Sequence, residues 1–406
     1  MTDLRAPAAP RPLLLPDGRP AADAWTLDPG LLHLNHGSFG GVPRAAQQRQ
    51  SALRDEMERA PVVWFPGLTG RIAAARAEIA AHLRTDPADL ALVPNASAGV
   101  SVVHAALAAR PGGDIVVTDH GYGAVTMSAA RLARRWGTRV RTARVPLDAD
   151  ADRAHDAVMA EVDADVALIV LDQIASATAR LLPVARVGAE AARLGIPFLV
   201  DGAHAPGLLA APLDGLVCDA WVGNLHKWGC APRGTAALVA RGPLRTELHP
   251  PIDSWSADAS FPDRFDQQGT VDATAWLAAP TALDLVETTW GWDTVRGHLD
   301  DLARYGAHVV ATALGTADPV DVGLPVPGMR LVRLPEGLAP TRIAADALRD
   351  RAPAELGAEA AFTSFDGIGY LRLSAHVYNT PADYDRFAEQ CVPVIEKWAR
   401  EGTDGA

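Results

Sequence analysis

From residue 90 onward, short and almost unbroken apolar runs alternate with amphipathic stretches of helical length. The apolar runs are 90–93 (LALV), 114–118 (DIVVT), 139–145 (RVRTARV), 165–172 (DVALIVLD), 197–201 (PFLVD), 219–223 (DAWVG) and 235–240 (TAALVA). Helices are expected between them near 97–110, 122–136, 151–162 and 184–194. Strands this uniformly apolar are buried on both faces, so the pattern predicts an α/β fold. Its large domain is a mostly parallel seven-stranded sheet with helices on both faces. Ligands of such sheets sit beyond the carboxyl ends of the strands. Asp119, Asp172, Asp201 and Asn224 all fall at those ends.

Upstream, LLHLNHGSFGGVP (31–43) reads as a short strand entering a Gly-rich turn, and Pro43 opens a polar helix near 44–59. Ile72, Ala75, Ile79 and Leu83 then recur at helical spacing. Past about 245 the rhythm breaks into a loop-rich stretch carrying Trp255, Arg264 and FDQQGT, followed by a long helical region over 271–315. A strand at 328–334, a helix at 341–351, a hairpin at 360–366 and 368–375 and a closing helix at 381–401 predict a small C-terminal α+β domain. The expected division is a flexible N-terminal arm (1–24), a segment associated with the small domain (25–60), the large domain (61–290) and the small domain (291–406).

Composition narrows the function. A net charge of −12 leaves no basic footprint for nucleic acid or an anionic membrane. No apolar run approaches the roughly 20 residues that span a bilayer. The Pro- and Ala-rich N-terminus lacks a signal-peptide core, which points to the cytoplasm. Cys218, Cys230 and Cys391 have neither disulfide nor zinc spacing, and no metal site is expected.

The most informative residue is rare. The chain has two lysines against thirty-five arginines. Lys397 lies in the polar closing helix, whereas Lys227 sits between two apolar strands beside His226 and Trp228. Lysine can form a Schiff base and arginine cannot. Asp201 ends the preceding strand, where a carboxylate either caps the next helix or meets a cation. A Schiff-base lysine and an acid on adjacent βα units suit pyridoxal 5′-phosphate (PLP), the acid pairing with the pyridine nitrogen. PNASAGVSVV (94–103) opens a helix with small residues, so Ala96, Ser97 and Ala98 are either a plain cap or a phosphate cradle. Asn224 and His226 flank the lysine with further donors.

LNHGSFGGVP, PNASAGVSVV, DHGYGA, VDGAHAPG, GNLHKWGCAP, QGTVDATAW and LRLSAHVYNT occur in this order along the chain. On these motifs the sequence resembles the class V aminotransferase group of fold-type I PLP enzymes. Within it the isopenicillin N epimerase-like branch is most similar, and cysteine desulfurases are more distant. The resemblance implies that Lys227 holds PLP and shuttles the Cα proton, that Asp201 pairs with the pyridinium nitrogen, and that His204 lies near the phenolic oxygen. It puts Tyr122 on the ring face and Ser97, Asn224 and His226 on the phosphate. Gly269 and Thr270 would reach the phosphate of a partner subunit, making a homodimer with shared active sites. Arg372 matches the residue that grips the substrate α-carboxylate, although an arginine on a strand is often a surface ion pair.

Three positions depart from the family pattern. Gln173, expected among the cofactor-binding residues, stands where relatives often have His or Asn, Arg180 replaces a small residue, and His36 replaces a small polar one. His36 either faces substrate or is a satisfied loop histidine. The resemblance thus implies action at Cα of an amino acid or amino-acid conjugate, in specialised metabolism such as antibiotic biosynthesis. C–S β-elimination needs only Lys227 and is the first expectation. Epimerisation follows, with Tyr122, His36 or Cys230 as second acid or base. Decarboxylation, deamination, transamination and a non-catalytic PLP-binding protein are further alternatives. A persulfide-forming desulfurase is disfavoured, because no cysteine lies on a small-domain loop.

Overall fold

The computed structural model describes residues 7–110, 112–316 and 319–403. It contains two compact units. One comprises residues 42–175 and 181–287, the other 1–41, 176–180 and 288–406.

The larger unit is built on seven strands: β1 (Leu90–Val93), β2 (Asp114–Thr118), β3 (Val140–Ala143), β4 (Val166–Asp172), β5 (Phe198–Asp201), β6 (Ala220–Asn224) and β7 (Ala236–Ala240). Their order is β1-β7-β6-β5-β4-β2-β3. β7 is antiparallel to both neighbours and the remaining pairs are parallel. All residues of β1, β2, β5, β6 and β7 are buried, as expected when helices cover both faces. The helix Ala96–Leu107 lies close on β6 because Gly99 has no side chain. A Cβ there would come within 2.6 Å of Val222 Cγ1. Val100, Val103, Val117, Leu168, Leu199 and Val222 belong to the core on this side.

The smaller unit holds a three-stranded antiparallel sheet of Met329–Arg333, Ile368–Ser374 and Ala361–Phe365, with Ile368–Ser374 central. Leu32–His33 pairs in parallel with Ala358–Glu359, so the early LLHLNHGSF segment is part of this unit. Leu34, Leu302, Val310, Leu371, Tyr384 and Phe387 form its core with Ile395 and Trp398. Two expected helices are divided. Residues 271–315 form Thr274–Thr289 and Trp292–Leu314, parted at Gly291 with φ +77°. The closing helix stops at Gln390 and resumes at Val392. Pro393 has no N–H to continue the ladder, which accounts for the second break.

The N-terminal arm is described from residue 7 onward. Residues 1–6 of the arm lie outside the described residues. Leu14 bridges Pro20, Ala21–Ala24 forms a 3-10 turn, and Trp290 Nε1 donates to Leu14 O over 2.7 Å. Among the described residues no helix is long and apolar enough to cross a membrane.

Candidate active site

In the larger unit the parallel strands β4, β5 and β6 bring their carboxyl ends together. Asp172 and Asp201 are register partners there, and both are buried. Asp201 Oδ1 accepts the Ala203 N–H at 2.9 Å, and its Oδ2 is buried with no hydrogen-bond partner. Asp172 accepts the Tyr122 N–H at 3.2 and 3.4 Å. Burial raises both carboxyls above the usual range, and the charge of Asp201 raises Asp172 further. Lys227 opposes both shifts. Sequence reasoning put Asp172 at a strand end but did not pair it with Asp201, since only the β4–β5 register reveals this.

Lys227 lies in the turn after β6, and its Nζ is 2.9 Å from His204 Nε2. On its other side, His204 accepts the Trp228 indole N–H at Nδ1 over 3.2 Å. The Tyr122 ring centroid is 6.0 Å from Lys227 Nζ, and Tyr122 remains exposed. Lys227, Asp201, His204 and Tyr122 therefore occupy one neighbourhood of this unit. The GAHAPG segment packs on the lysine turn through Gly207, at φ +88°, where a Cβ would lie 2.6 Å from Trp228 O.

Several expected cofactor contacts already have protein partners. Ala96 N–H donates to Asn224 Oδ1 and Ala98 N–H to Asn95 Oδ1, both at 2.8 Å. Asn224 thus holds the helix N-terminus with its oxygen, which leaves its amide donors and exposed Ser97 for an anion. His226 Nδ1 meets the Thr235 carbonyl at 2.9 Å, so that nitrogen carries the proton. Burial pulls the His226 pKa down to about 4, making Nε2 an acceptor. It becomes a phosphate donor only if it gains a proton. Gln173 donates to Pro212 O at 2.7 Å and accepts from Trp221 Nε1 at 2.9 Å. Gly269 and Thr270 are exposed on the loop before Thr274–Thr289.

Within the smaller unit, Arg372 is not a surface ion pair. It is 3% exposed. Its guanidinium donates to Ser176 O at 2.6 Å, Ser176 Oγ at 3.0 Å, Asn35 Oδ1 at 3.0 Å and Ser38 Oγ at 3.3 Å. All four acceptors are neutral, and its buried Nε has no hydrogen-bond partner. Desolvation pulls the Arg372 pKa from 12.5 to about 10. Among the described residues no anion pairs with this group. His36, between two of these ligands in sequence, is buried, with Nδ1 2.8 Å from Tyr378 Oη and its ring stacked 3.7 Å from His376. Trp25 meets His376 and Tyr378 edge-on. Arg180 is fully buried in the same unit and bridges Pro325 through its backbone.

The cysteines are poor nucleophiles. Burial raises Cys218 to about 12 and Cys391 to about 11, and raises Cys230 as well.

Residues 67–319 match the family model for class-V aminotransferases. The chain is 32% identical over 399 residues to isopenicillin N epimerase of Streptomyces clavuligerus, covering 92% of this chain and 97% of that protein. It is 25% identical over 408 residues to L-cysteine desulfhydrase of Arabidopsis thaliana, covering 90% and 88%. Among solved structures it is similar to a mutant of C-DES with glycine covalently linked to its PLP cofactor. The TM-score is 0.79 at 18% identity, with 92% of this chain and 99% of that one covered. The chain belongs to the class-V aminotransferase family of fold-type I PLP enzymes. Its residues fit that cofactor. A buried lysine amine and an acid with one vacant buried oxygen, Asp201 Oδ2, are what a pyridinium aldehyde requires.

Proposed function

We propose that the chain is a PLP-dependent epimerase acting at Cα of an amino acid or amino-acid conjugate. The end-to-end match to isopenicillin N epimerase, at 32% identity, carries this reading. It reverses the sequence-based order, in which C–S β-elimination came first.

Bound PLP supplies an electron sink that makes the substrate Cα–H acidic. Asp201 Oδ2 would accept the ring N–H and so keep the positive charge on that nitrogen. His204 Nε2–H would donate to the cofactor's phenolic oxygen, and Tyr122 would pack on its ring. Ser97 and the Asn224 amide would hold its phosphate. Arg372 grips the α-carboxylate, the anion that its buried guanidinium lacks. Lys227 takes or returns the Cα proton on one face. Epimerisation needs a second acid or base, and His36 is assigned this role. It belongs to the Asn35–Ser38 stretch that orients Arg372, and Tyr378 holds its ring. Cys230 suits the role less well because burial keeps its thiol protonated.

The same reading makes the enzyme a cytoplasmic homodimer of specialised metabolism, with antibiotic biosynthesis as the context. Exposed Gly269 and Thr270 are available to a second subunit, and three cysteines outside any disulfide suit a reducing compartment. A second reading, C–S β-lyase, is supported by the match to L-cysteine desulfhydrase and by its need for Lys227 alone.

The experiment is incubation of holoenzyme with amino acids and cysteine S-conjugates in deuterated water. Cα deuterium with inversion and no pyruvate supports the epimerase. Pyruvate with free thiol transfers the assignment to the lyase.

A further inference from the structure

We propose that Trp228 is a positioning residue that fixes the tautomer of His204 and thereby keeps the Lys227 amine uncharged. An indole N–H can only donate, and Trp228 Nε1 lies 3.2 Å from His204 Nδ1. Nδ1 must then present its lone pair. The neutral imidazole carries its hydrogen on Nε2, 2.9 Å from Lys227 Nζ. With Nε2–H as donor, Nζ must accept, and only the free amine has a lone pair to do so.

An ammonium at Nζ would reverse this arrangement. It would donate to Nε2, which moves the imidazole hydrogen to Nδ1 and points it at the indole N–H. That conflict cannot be relieved by water, because Trp228, His204 and Lys227 are 1%, 2% and 8% exposed. The backbone also fixes the spacing, since Gly207 lets the His204 segment lie directly against the Trp228 carbonyl. Asp172 and Asp201 face the lysine and favour its charged form. A directed hydrogen bond is therefore needed to offset them. Free amine is the form that attacks an aldehyde.

This inference rests on the PLP reading only in naming what the amine captures, and it holds for either reaction. The test is ¹⁵N NMR of the full-length chain labelled at histidine, without PLP and loaded with it. His204→Gln assigns the signal and Trp228→Phe perturbs it. The expected wild-type spectrum has a protonated Nε2 and a bare Nδ1 between about pH 6 and pH 8. Trp228→Phe should give mixed tautomers. It should also slow PLP capture by Lys227 near neutral pH about tenfold, the effect of one hydrogen bond. A wild-type Nδ1–H tautomer, or an unchanged tautomer in Trp228→Phe, overturns the proposal. If circular dichroism shows that Trp228→Phe does not fold, the wild-type spectrum still decides. Failure of the chain to bind PLP would refute the proposed function and leave the tautomer standing.

Discussion

Replacing Arg372 by Gln tests whether the buried guanidinium exists for a substrate carboxylate. Its pKa falls from 12.5 to about 10 through desolvation, a penalty of about 3 kcal/mol on the charged form. Four neutral oxygens hold the group but leave its charge uncompensated. A bound carboxylate would recover most of that penalty and satisfy Nε as well. Gln keeps hydrogen-bonding capacity without the charge. We expect kcat/KM to fall about 100-fold, equivalent to about 2.7 kcal/mol, mainly through KM. The assay compares an amino-acid substrate with its α-carboxamide. Wild type should discriminate strongly between them, and Arg372→Gln should not. A loss below about threefold, or equal losses on both compounds, would refute the argument.

Other expectations concern different parts of the chain. His36→Asn should retain Cα deuterium exchange but lose inversion by about 100-fold, the lower end for a general acid or base; parallel loss of both would remove His36 from that role. Asp266→Ala leaves Arg76, 5% exposed, without its two short contacts at 2.5 and 2.7 Å. Urea denaturation should show a loss of about 3 kcal/mol, because Asp263 remains as a partial partner at 2.8 Å; less than about 1 kcal/mol would contradict this. Glu359 raises the His33 pKa above 6.5 by hydrogen bonding, so this contact stabilises fully below 6.5 and its contribution fades as pH rises through the folded value. Glu359→Gln should therefore flatten the change in Tm between about pH 6 and pH 8, and an unaltered slope would exclude the pair as its source.

The strands were legible because burial on both faces makes them uniformly apolar. The direction of β7 was not, because an antiparallel strand with both faces buried has the same composition as its parallel neighbours. Asp201 and Lys227 stood out as polar groups at the ends of apolar runs. The partners of Arg372 did not, since Ser176 and Asn35 are separated from it by 196 and 337 residues. Spacing shows which N–H groups start a helix, but not that Asn95 and Asn224 already accept two of them. His226 and Gln173 illustrate the same limit, their hydrogen bonds going to Thr235, Pro212 and Trp221.

On the proposed function, Lys227 is the amine that carries PLP. Only two lysines are present, so borohydride reduction of the holoenzyme followed by peptide mass spectrometry has a nearly binary readout. A pyridoxyl adduct is expected on the peptide containing Lys227, together with loss of an absorption band near ~420 nm. Lys227→Ala should abolish both. An adduct on Lys397, or persistence of the band in Lys227→Ala, would contradict it.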